Sequence, residues 1–185
     1  MNDLFAVARA LQDFCDQRGW RSCFIGGIAV QRWGEPRVTR DVDLNLLSGF
    51  GSEDVYIVGL LTGYSPRIPD AAEFAYRNRV LLLQTPEGIG IDVSLAALPF
   101  EANVVSRASV YSFGPGLDVR TCSAEDLIVL KLFASRAIDI RDAESIAVRN
   151  KGSLDWQYIQ EQLRPLAEVK EAPDILDNLS RLQRL

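Results

Sequence analysis

Hydrophobic and polar residues follow two periods along this 185-residue chain, one typical of helices and one typical of strands. Over residues 3–18 apolar side chains recur every three or four positions, which predicts an amphipathic helix. Over residues 40–46 polar and apolar side chains alternate, which predicts a half-buried strand. The pattern also predicts strands over residues 77–85 and 89–95, joined by a Pro-Glu-Gly turn. This hairpin predicts a sheet that is mixed rather than purely parallel.

The chain length fits one domain with a helical appendage. We predict an α/β (α+β) core, a mixed β-sheet flanked by helices, over residues 1–121, and a helical C-terminal region over residues 122–185. In the helix at 53–62 the residues expected to face the core are Val55, Val58 and Leu61. The other predicted elements are strands at 22–25, 109–113 and 117–120, and helices at 28–33, 70–76, 139–150, 154–164, 173–184 and from Ser123.

Two aspartates lie one residue apart in the strand at 40–46. Asp41 and Asp43 share one face of the strand, while Val42 and Leu44 point into the core. Carboxylates at this spacing are about 6–7 Å apart and repel each other unless a cation neutralises them. A divalent cation with oxygen ligands is one explanation. An exposed edge strand with solvated acidic side chains is the other.

A glycine pair, Gly26-Gly27, stands between the strand at 22–25 and the helix at 28–33. Free backbone N–H groups and the helix dipole make such a helix start able to bind phosphate. The Walker A and GxGxxG patterns are both absent. A glycine turn between a strand and a helix is also common, so this pattern alone leaves both interpretations open.

A third carboxylate, Asp92, lies between Ile91 and Val93 in the second strand of the predicted hairpin. Aspartate is depleted in strands, because its short polar side chain does not suit a half-buried pleated surface. Alone it could be an acidic residue on an edge strand. Together with Asp41 and Asp43 it favours a metal-binding role.

The amino-acid composition excludes several classes of catalytic and binding site. The absence of histidine excludes Ser-His, Cys-His and His-ligated zinc sites. The net charge of −5 gives no global basic surface for nucleic acid. The three widely spaced cysteines are expected to be buried thiols in a reducing cytosol. Because no apolar run approaches about 18 residues and no signal peptide is recognised, we expect a cytoplasmic protein without a membrane partner.

A glycine pair that opens a helix, an Asp-x-Asp strand and a later lone aspartate together resemble the nucleotidyltransferase fold. This is the fold of the superfamily that contains DNA polymerase beta and the minimal nucleotidyltransferases. Thirteen residues, positions 28 to 40, separate Gly27 from Asp41, which is within the spacing of that family. The resemblance covers roughly residues 20–150 and implies the same fold here.

Further motifs are similar to the AbiEii-type branch found in bacterial toxin–antitoxin and phage-defence systems. They are Gly-Gly-x-Ala followed by Arg37-x-Thr39-x-Asp41-x-Asp43, the Asp-Leu-x-x-x-Lys segment at 126–131, and Arg141-Asp142. From the residues alone, Lys131 could equally be a stem that snorkels at the rim of the core. Arg141-Asp142 could be a structural ion pair between helices.

The resemblance implies transfer of an NMP unit from an NTP to a hydroxyl acceptor, with release of pyrophosphate. It implies a two-metal mechanism with Mg²⁺ or Mn²⁺, in which the ions hold the attacking and leaving oxygens in line. The implied catalytic and metal-binding residues are Asp41, Asp43 and Asp92. The implied nucleotide-binding residues are Gly26, Gly27, Arg37, Thr39, Arg40 and Lys131.

Three functions remain open at this point. The first is an active metal-dependent nucleotidyltransferase that modifies tRNA or protein, as a toxin or defence component with a cognate antitoxin or toxin partner. The second is a small-molecule nucleotidyltransferase of the antibiotic-modifying sort, which the acidic net charge slightly favours over an RNA-modifying enzyme. The third is a catalytically inactive nucleotidyltransferase-fold antitoxin or binding module. The presence of all three carboxylates and both glycines counts against the third.

Overall fold

The computed structural model describes residues 2–185, with side chains from Leu4 onward; Met1, where the predicted core domain begins, lies outside the described residues. Helices and strands alternate through the first two thirds of the chain, and helices follow. The helices are α1 Asn2–Asp16, α2 Gly26–Trp33, α3 Glu53–Leu61, α4 Ala71–Asn78, α5 Pro99–Ser106, α6 Ala124–Ala134, α7 Ala137–Arg149, α8 Trp156–Val169 and α9 Asp174–Leu182. The strands are β1 Ser22–Phe24, β2 Asp41–Leu47, β3 Ser65–Pro66, β4 Val80–Gln84, β5 Gly90–Ala96, β6 Ser109–Ser112 and β7 Asp118–Thr121.

The strands form one sheet in the order β3-β4-β5-β2-β1-β7-β6. Strand β2 pairs in parallel with β5 and antiparallel with β1. Strands β4 and β5 form the predicted antiparallel hairpin, so the mixed sheet is confirmed. Because β2 and β5 are interior strands, the alternative that their aspartates lie on exposed edge strands is wrong.

The chain divides into two compact units. The first consists of the residues up to Ile28 together with Val38–Cys122, and it contains the sheet. The second consists of Ala29–Arg37 together with Ser123–Leu185, and it is mainly helical. Most of α2 therefore belongs to the same unit as the C-terminal helices. The division predicted at residue 121 places α2 in the core domain instead.

The core of the first unit is built from α1, α3 and the apolar faces of the central strands. Leu11, Leu44 and Ile91 are fully buried within it. Helix α3 buries Ile57 and Leu60, whereas the predicted core residues Val55 and Val58 are 62% and 63% exposed.

The predicted face of α3 was therefore wrong for Val55 and Val58, whereas Leu61 is partly buried and packs against the core. The helix is apolar on nearly all sides, so its periodicity does not define a single face. Packing defines the face instead, because Gly59 lies against the Trp20 ring. A Cβ at Gly59 would lie 2.6 Å from that ring.

Two further boundaries differ from the sequence-based prediction. Helix α4 continues to Asn78, and β4 begins only at Val80 instead of residue 77. Arg79 between them takes a left-handed conformation with φ of 55°, and its Nε donates to the Leu95 carbonyl at 2.9 Å. Strand β3 was not predicted, because a two-residue strand is too short to show a period.

The three cysteines, Cys15, Cys23 and Cys122, are buried and form no disulfide within the described residues, as the sequence predicted. Burial raises the pKa of the Cys15 thiol to about 11, so this thiol is protonated at neutral pH. Among residues 2–185, no helix combines the length and the apolar character needed to span a membrane.

The second unit packs its helices around α6. Ser123 caps this helix, because its Oγ accepts the Asp126 backbone N–H at 3.1 Å. The apolar residues Leu127, Ile128 and Leu132 of α6 are fully buried, which places most of the helix surface inside the unit.

Candidate active site

The Asp-x-Asp strand and the strand of the lone aspartate are hydrogen-bonded neighbours in the first unit. Asp43 is the register partner of Asp92, and Asp41 is the register partner of Gly90. The carboxylates of Asp41 and Asp92 are partly exposed, at 51% and 32%. The alternation predicted for β2 is observed from Asp41 to Leu44, because Val42 and Leu44 are fully buried, but Asn45 on the polar face is buried too.

The glycine pair lies directly against Asp43 and Thr39. The Gly27 N–H donates to Asp43 Oδ2 at 3.3 Å. Gly26 has a φ of +54°, and a Cβ there would lie 2.0 Å from Asp43 Oδ2. A Cβ at Gly27 would lie 2.2 Å from Thr39 Oγ1. Only glycine at both positions lets the start of α2 approach these two side chains so closely.

Arg67, which the sequence analysis did not single out, joins two of the three carboxylates. Its Nη2 donates to Asp92 Oδ1 at 2.6 Å, and its Nη1 is 3.5 Å from Asp41 Oδ1. Burial raises the pKa of Asp92; the Arg67 guanidinium opposes this rise, and the neighbouring charge of Asp41 adds to it. The net direction is upward, and burial is its largest cause.

The three carboxylates have the chemistry of a divalent-cation site. Carboxylate oxygens are the donors that Mg²⁺ and Mn²⁺ prefer, and Arg67 already brings a positive charge to two of them. Within the described part of the chain, however, no three acidic or thiol side chains converge closely enough to hold a metal ion as they stand. The chemistry of these donors suits a divalent cation, but their arrangement in the described residues does not yet form a site for one.

Two predicted nucleotide-binding residues lie in a salt-bridge cluster of the second unit. Arg37 makes a bidentate pair with Asp142, with both N–O distances at 2.7 Å. Lys131 Nζ is 2.8 Å from both Asp139 Oδ1 and Asp142 Oδ2. The side chains of Lys131, Asp139 and Asp142 are only 7%, 1% and 3% exposed.

This cluster neutralises the charges that were predicted to contact phosphate. Arg136 Nε also donates to Asp139, at 2.5 Å. Burial raises the pKa of Asp139 and Asp142, but their hydrogen bonds to arginine and Lys131 lower it more, so both pKa values are below the ordinary one. The nucleotide-binding role of Arg37 and Lys131 stays a prediction, and the ion pairs give them a structural role.

The sequence signal for Arg67 and Gly90 is weak. Arg67 lies between Pro66 and Pro69 on an exposed segment, where an arginine is usually solvated. Gly90 follows a turn and resembles a turn glycine. A Cβ at Gly90 would lie 2.2 Å from Asp41 Oδ1 and 2.4 Å from Arg67 Nη1. Arg40, by contrast, is exposed, and its predicted role is untested.

Replacing Gly26 by alanine should lower the free energy of unfolding by more than the cost of a left-handed alanine, because the new Cβ also clashes with Asp43. A left-handed alanine costs about 1–2 kcal/mol, and overpacking against Asp43 should add about 1–3 kcal/mol. Rotating the carboxylate would not remove the clash, because Asp43 Cβ is itself 2.9 Å from the added carbon. Urea unfolding measures the difference in the free energy of unfolding.

Gly19→Ala is the matched control for this substitution. Gly19 has a similar φ of +67°, but a Cβ there has nothing within 4 Å. It should therefore show the conformational cost without the clash. Equal losses of stability in the two variants would contradict the close packing of Gly26 against Asp43.

Comparison with known proteins agrees with this geometry. The model of a family described as "Nucleotidyltransferase of unknown function (DUF6036)" matches residues 2–175. A search of curated proteins finds no match to the sequence.

Solved structures share the fold at low sequence identity. An antigenic nucleotidyltransferase-like protein from Paracoccidioides brasiliensis is 18% identical with a TM-score of 0.54, covering 97% of this chain and 93% of its own. The antibiotic-resistance factor ANT(2'')-Ia, in its solution structure, is 15% identical with a TM-score of 0.58, covering 94% of this chain and 95% of its own. The predicted nucleotidyltransferase fold is thereby confirmed.

Proposed function

The chain belongs to the family of nucleotidyltransferases of unknown function (DUF6036), and we propose that it is an active enzyme that transfers an NMP unit from an NTP to a hydroxyl acceptor. The observation that carries this proposal is the contact between the glycine pair and Asp43. The Gly27 N–H and the Asp43 carboxylate lie 3.3 Å apart at the start of α2. A phosphate-binding backbone and an acidic cluster thus adjoin each other in one unit.

Each part of this arrangement has a distinct task. Asp41, Asp43 and Asp92 provide the oxygen ligands for Mg²⁺ or Mn²⁺. When bound, such an ion neutralises triphosphate charge and lowers the pKa of an acceptor hydroxyl. The N–H groups at the start of α2 bind phosphate oxygens, and the Gly27 N–H exchanges Asp43 Oδ2 for a phosphate oxygen.

The residues around the glycines position the triphosphate. Thr39 lies over Gly27 and orients a phosphate or an aspartate through its hydroxyl. The exposed Arg40 neutralises phosphate charge. The Thr39 hydroxyl takes the place that a Gly27 side chain would fill, so a phosphate bound at this backbone would lie beside Thr39.

A small-molecule hydroxyl is the acceptor that we favour. The net charge of −5 does not suit the phosphate backbone of RNA. Transfer to tRNA should weaken steeply as salt is raised, whereas transfer to a small molecule should not. The AbiEii-type, toxin–antitoxin role with a protein partner stays a prediction.

Calorimetric titration of nucleotides tests the proposal without knowledge of the acceptor. ATP, GTP, CTP and UTP are each titrated into the wild type with Mg²⁺ or Mn²⁺. We expect one or more of them to bind only when the metal is present. The Asp41→Ala/Asp43→Ala variant should lose this binding, because it removes two of the three carboxylates.

A charge-matched control separates this effect from a change in net charge. Glu87→Ala/Asp118→Ala removes two exposed acidic side chains of the same unit and should bind nucleotide as the wild type does. Absence of binding of any NTP at millimolar concentration to the wild type would overturn the proposal. It would favour the third possibility, a nucleotidyltransferase fold retained as a binding module.

A further inference from the structure

Arg67 lies against two of the three carboxylates that would hold a divalent cation. Its guanidinium is hydrogen-bonded to Asp92 and is 3.5 Å from Asp41. A guanidinium stays charged at all ordinary pH values and offers several donors in a planar fork. The chain therefore carries its own counter-cation for two of the three site carboxylates.

The backbone around Arg67 places the guanidinium there. The Arg67 N–H donates to the Leu82 carbonyl of β4 at 3.0 Å, which anchors the residue to the sheet directly after β3. Gly90 leaves the path open, because a Cβ there would lie within 2.4 Å of both Asp41 Oδ1 and Arg67 Nη1. The contact between Arg67 and the carboxylates thus depends on the hydrogen bond of the Arg67 backbone to Leu82 and on the absence of a side chain at Gly90.

Arg67 would compete with a divalent cation for Asp41 and Asp92, because it already engages one oxygen of Asp92 and lies 3.5 Å from one oxygen of Asp41. The charge of Arg67 also repels any cation that approaches Asp41 or Asp92. A triphosphate, in contrast, attracts a guanidinium, since arginine binds phosphate through paired hydrogen bonds. Its side chain is 30% exposed, so solvent and ligands can reach it.

Resting on the proposed function, we propose that Arg67 couples metal binding to nucleotide binding. Without ligands it holds Asp41 and Asp92. When a nucleotide is present, Arg67 transfers its hydrogen bonds to the phosphates and releases both carboxylates to ligate the metal. Each ligand therefore favours the same arrangement of Arg67, and the two should bind cooperatively.

The Arg67→Ala variant tests this coupling in two titrations. The first uses MnCl₂ alone and follows the loss of the electron paramagnetic resonance signal of free Mn²⁺. The variant should bind Mn²⁺ about tenfold more tightly than the wild type, because the competing charge is gone.

The second titration adds the NTP that binds the wild type most tightly, at saturating Mn²⁺. The variant should bind this NTP about tenfold more weakly. The factor by which Mn²⁺ tightens NTP binding, obtained from the same titration without Mn²⁺, should fall, and the part that remains is the direct effect of the ion on the triphosphate charge. The control is Arg77→Ala, which removes an exposed arginine of α4 in the same unit and should change neither titration.

The outcomes distinguish this proposal from the proposed function. Unchanged Mn²⁺ binding in Arg67→Ala overturns the role of Arg67, whatever the wild type does with nucleotide. Tighter Mn²⁺ binding with unchanged NTP binding overturns the coupling but leaves the enzyme proposal standing. If the wild type binds Mn²⁺ but no NTP, both the coupling and the proposed function are overturned. In that case the Mn²⁺ titration still shows whether Arg67 competes with cations.

A second variant guards against misfolding of Arg67→Ala. Arg67→Lys keeps the charge but not the paired donors. Like Arg67→Ala, it should bind Mn²⁺ more tightly and NTP more weakly than the wild type, but by smaller factors. Weaker Mn²⁺ binding or tighter NTP binding in this variant would also overturn the coupling.

Discussion

Asp43→Asn should reduce nucleotidyl transfer by about a thousandfold while leaving the free energy of unfolding equal to or above that of the wild type. The charge stabilisation that a bound metal provides is worth several kcal/mol, and about 1.4 kcal/mol corresponds to a factor of ten in rate. Asparagine keeps the shape of the side chain, so its amide oxygen can still accept the Gly27 N–H. It also removes one charge from a cluster of like charges.

Initial rates of pyrophosphate release measure the activity of this variant, with water as the acceptor until another is identified. Urea unfolding measures its stability. Asp118→Asn is the control, because it removes a charge from an exposed aspartate at the start of β7. Full activity in Asp43→Asn, or loss of its fold, would rule out the role assigned to Asp43.

Lys131→Met should lower the free energy of unfolding by about 3 kcal/mol. Lys131 is 2.8 Å from both Asp139 and Asp142, and all three side chains are almost completely buried. Removing one partner of a buried ion pair costs about 3–5 kcal/mol. The lower end applies because each carboxylate keeps an arginine, Arg136 or Arg37.

The response to acid gives a second readout of the same cluster. The pKa of Asp139 and Asp142 is lower in the folded protein than in the unfolded chain. Their stabilisation is therefore complete above the ordinary aspartate pKa and is lost as the pH falls through the lowered values. Without Lys131, the pKa values of Asp139 and Asp142 in the folded protein should lie closer to those of the unfolded chain. The Lys131→Met variant should therefore lose less stability on acidification than the wild type.

The control for Lys131→Met is Lys151→Met, an exposed lysine of the same unit, which should change stability by less than about 0.5 kcal/mol. Nucleotide titration separates the two roles of Lys131. A variant that is as stable as the wild type but binds NTP weakly would favour the phosphate-binding role predicted from the sequence. A destabilised variant whose folded fraction binds NTP normally would assign Lys131 to structure.

Features that depend on neighbouring residues in the chain could be predicted from the sequence. The alternation in β2 placed Asp41 and Asp43 on one face, and the structure shows the buried Val42 between them. The Pro-Glu-Gly turn predicted the β4–β5 hairpin. Such patterns are local, because a strand repeats every two residues and a turn joins adjacent segments.

Features that depend on contacts between distant segments could not be predicted. Arg67 reaches Asp92 across 25 positions of sequence, and no local pattern indicates which carboxylate an exposed arginine will meet. The buried face of α3 depends on Trp20 packing against Gly59. An apolar helix surrounding Lys131 suggests that the lysine is buried, but it does not identify Asp139 and Asp142 as its partners.

The distribution of the cysteines makes thiol chemistry a reporter of one part of the molecule. Cys15, Cys23 and Cys122 all belong to the first unit, and all are buried. A labelling reagent can modify them only when that unit opens, and the raised pKa of Cys15 keeps its reactive thiolate scarce at neutral pH. The kinetics of labelling therefore measure how often the carboxylate-bearing unit opens, without a contribution from the thiol-free helical unit.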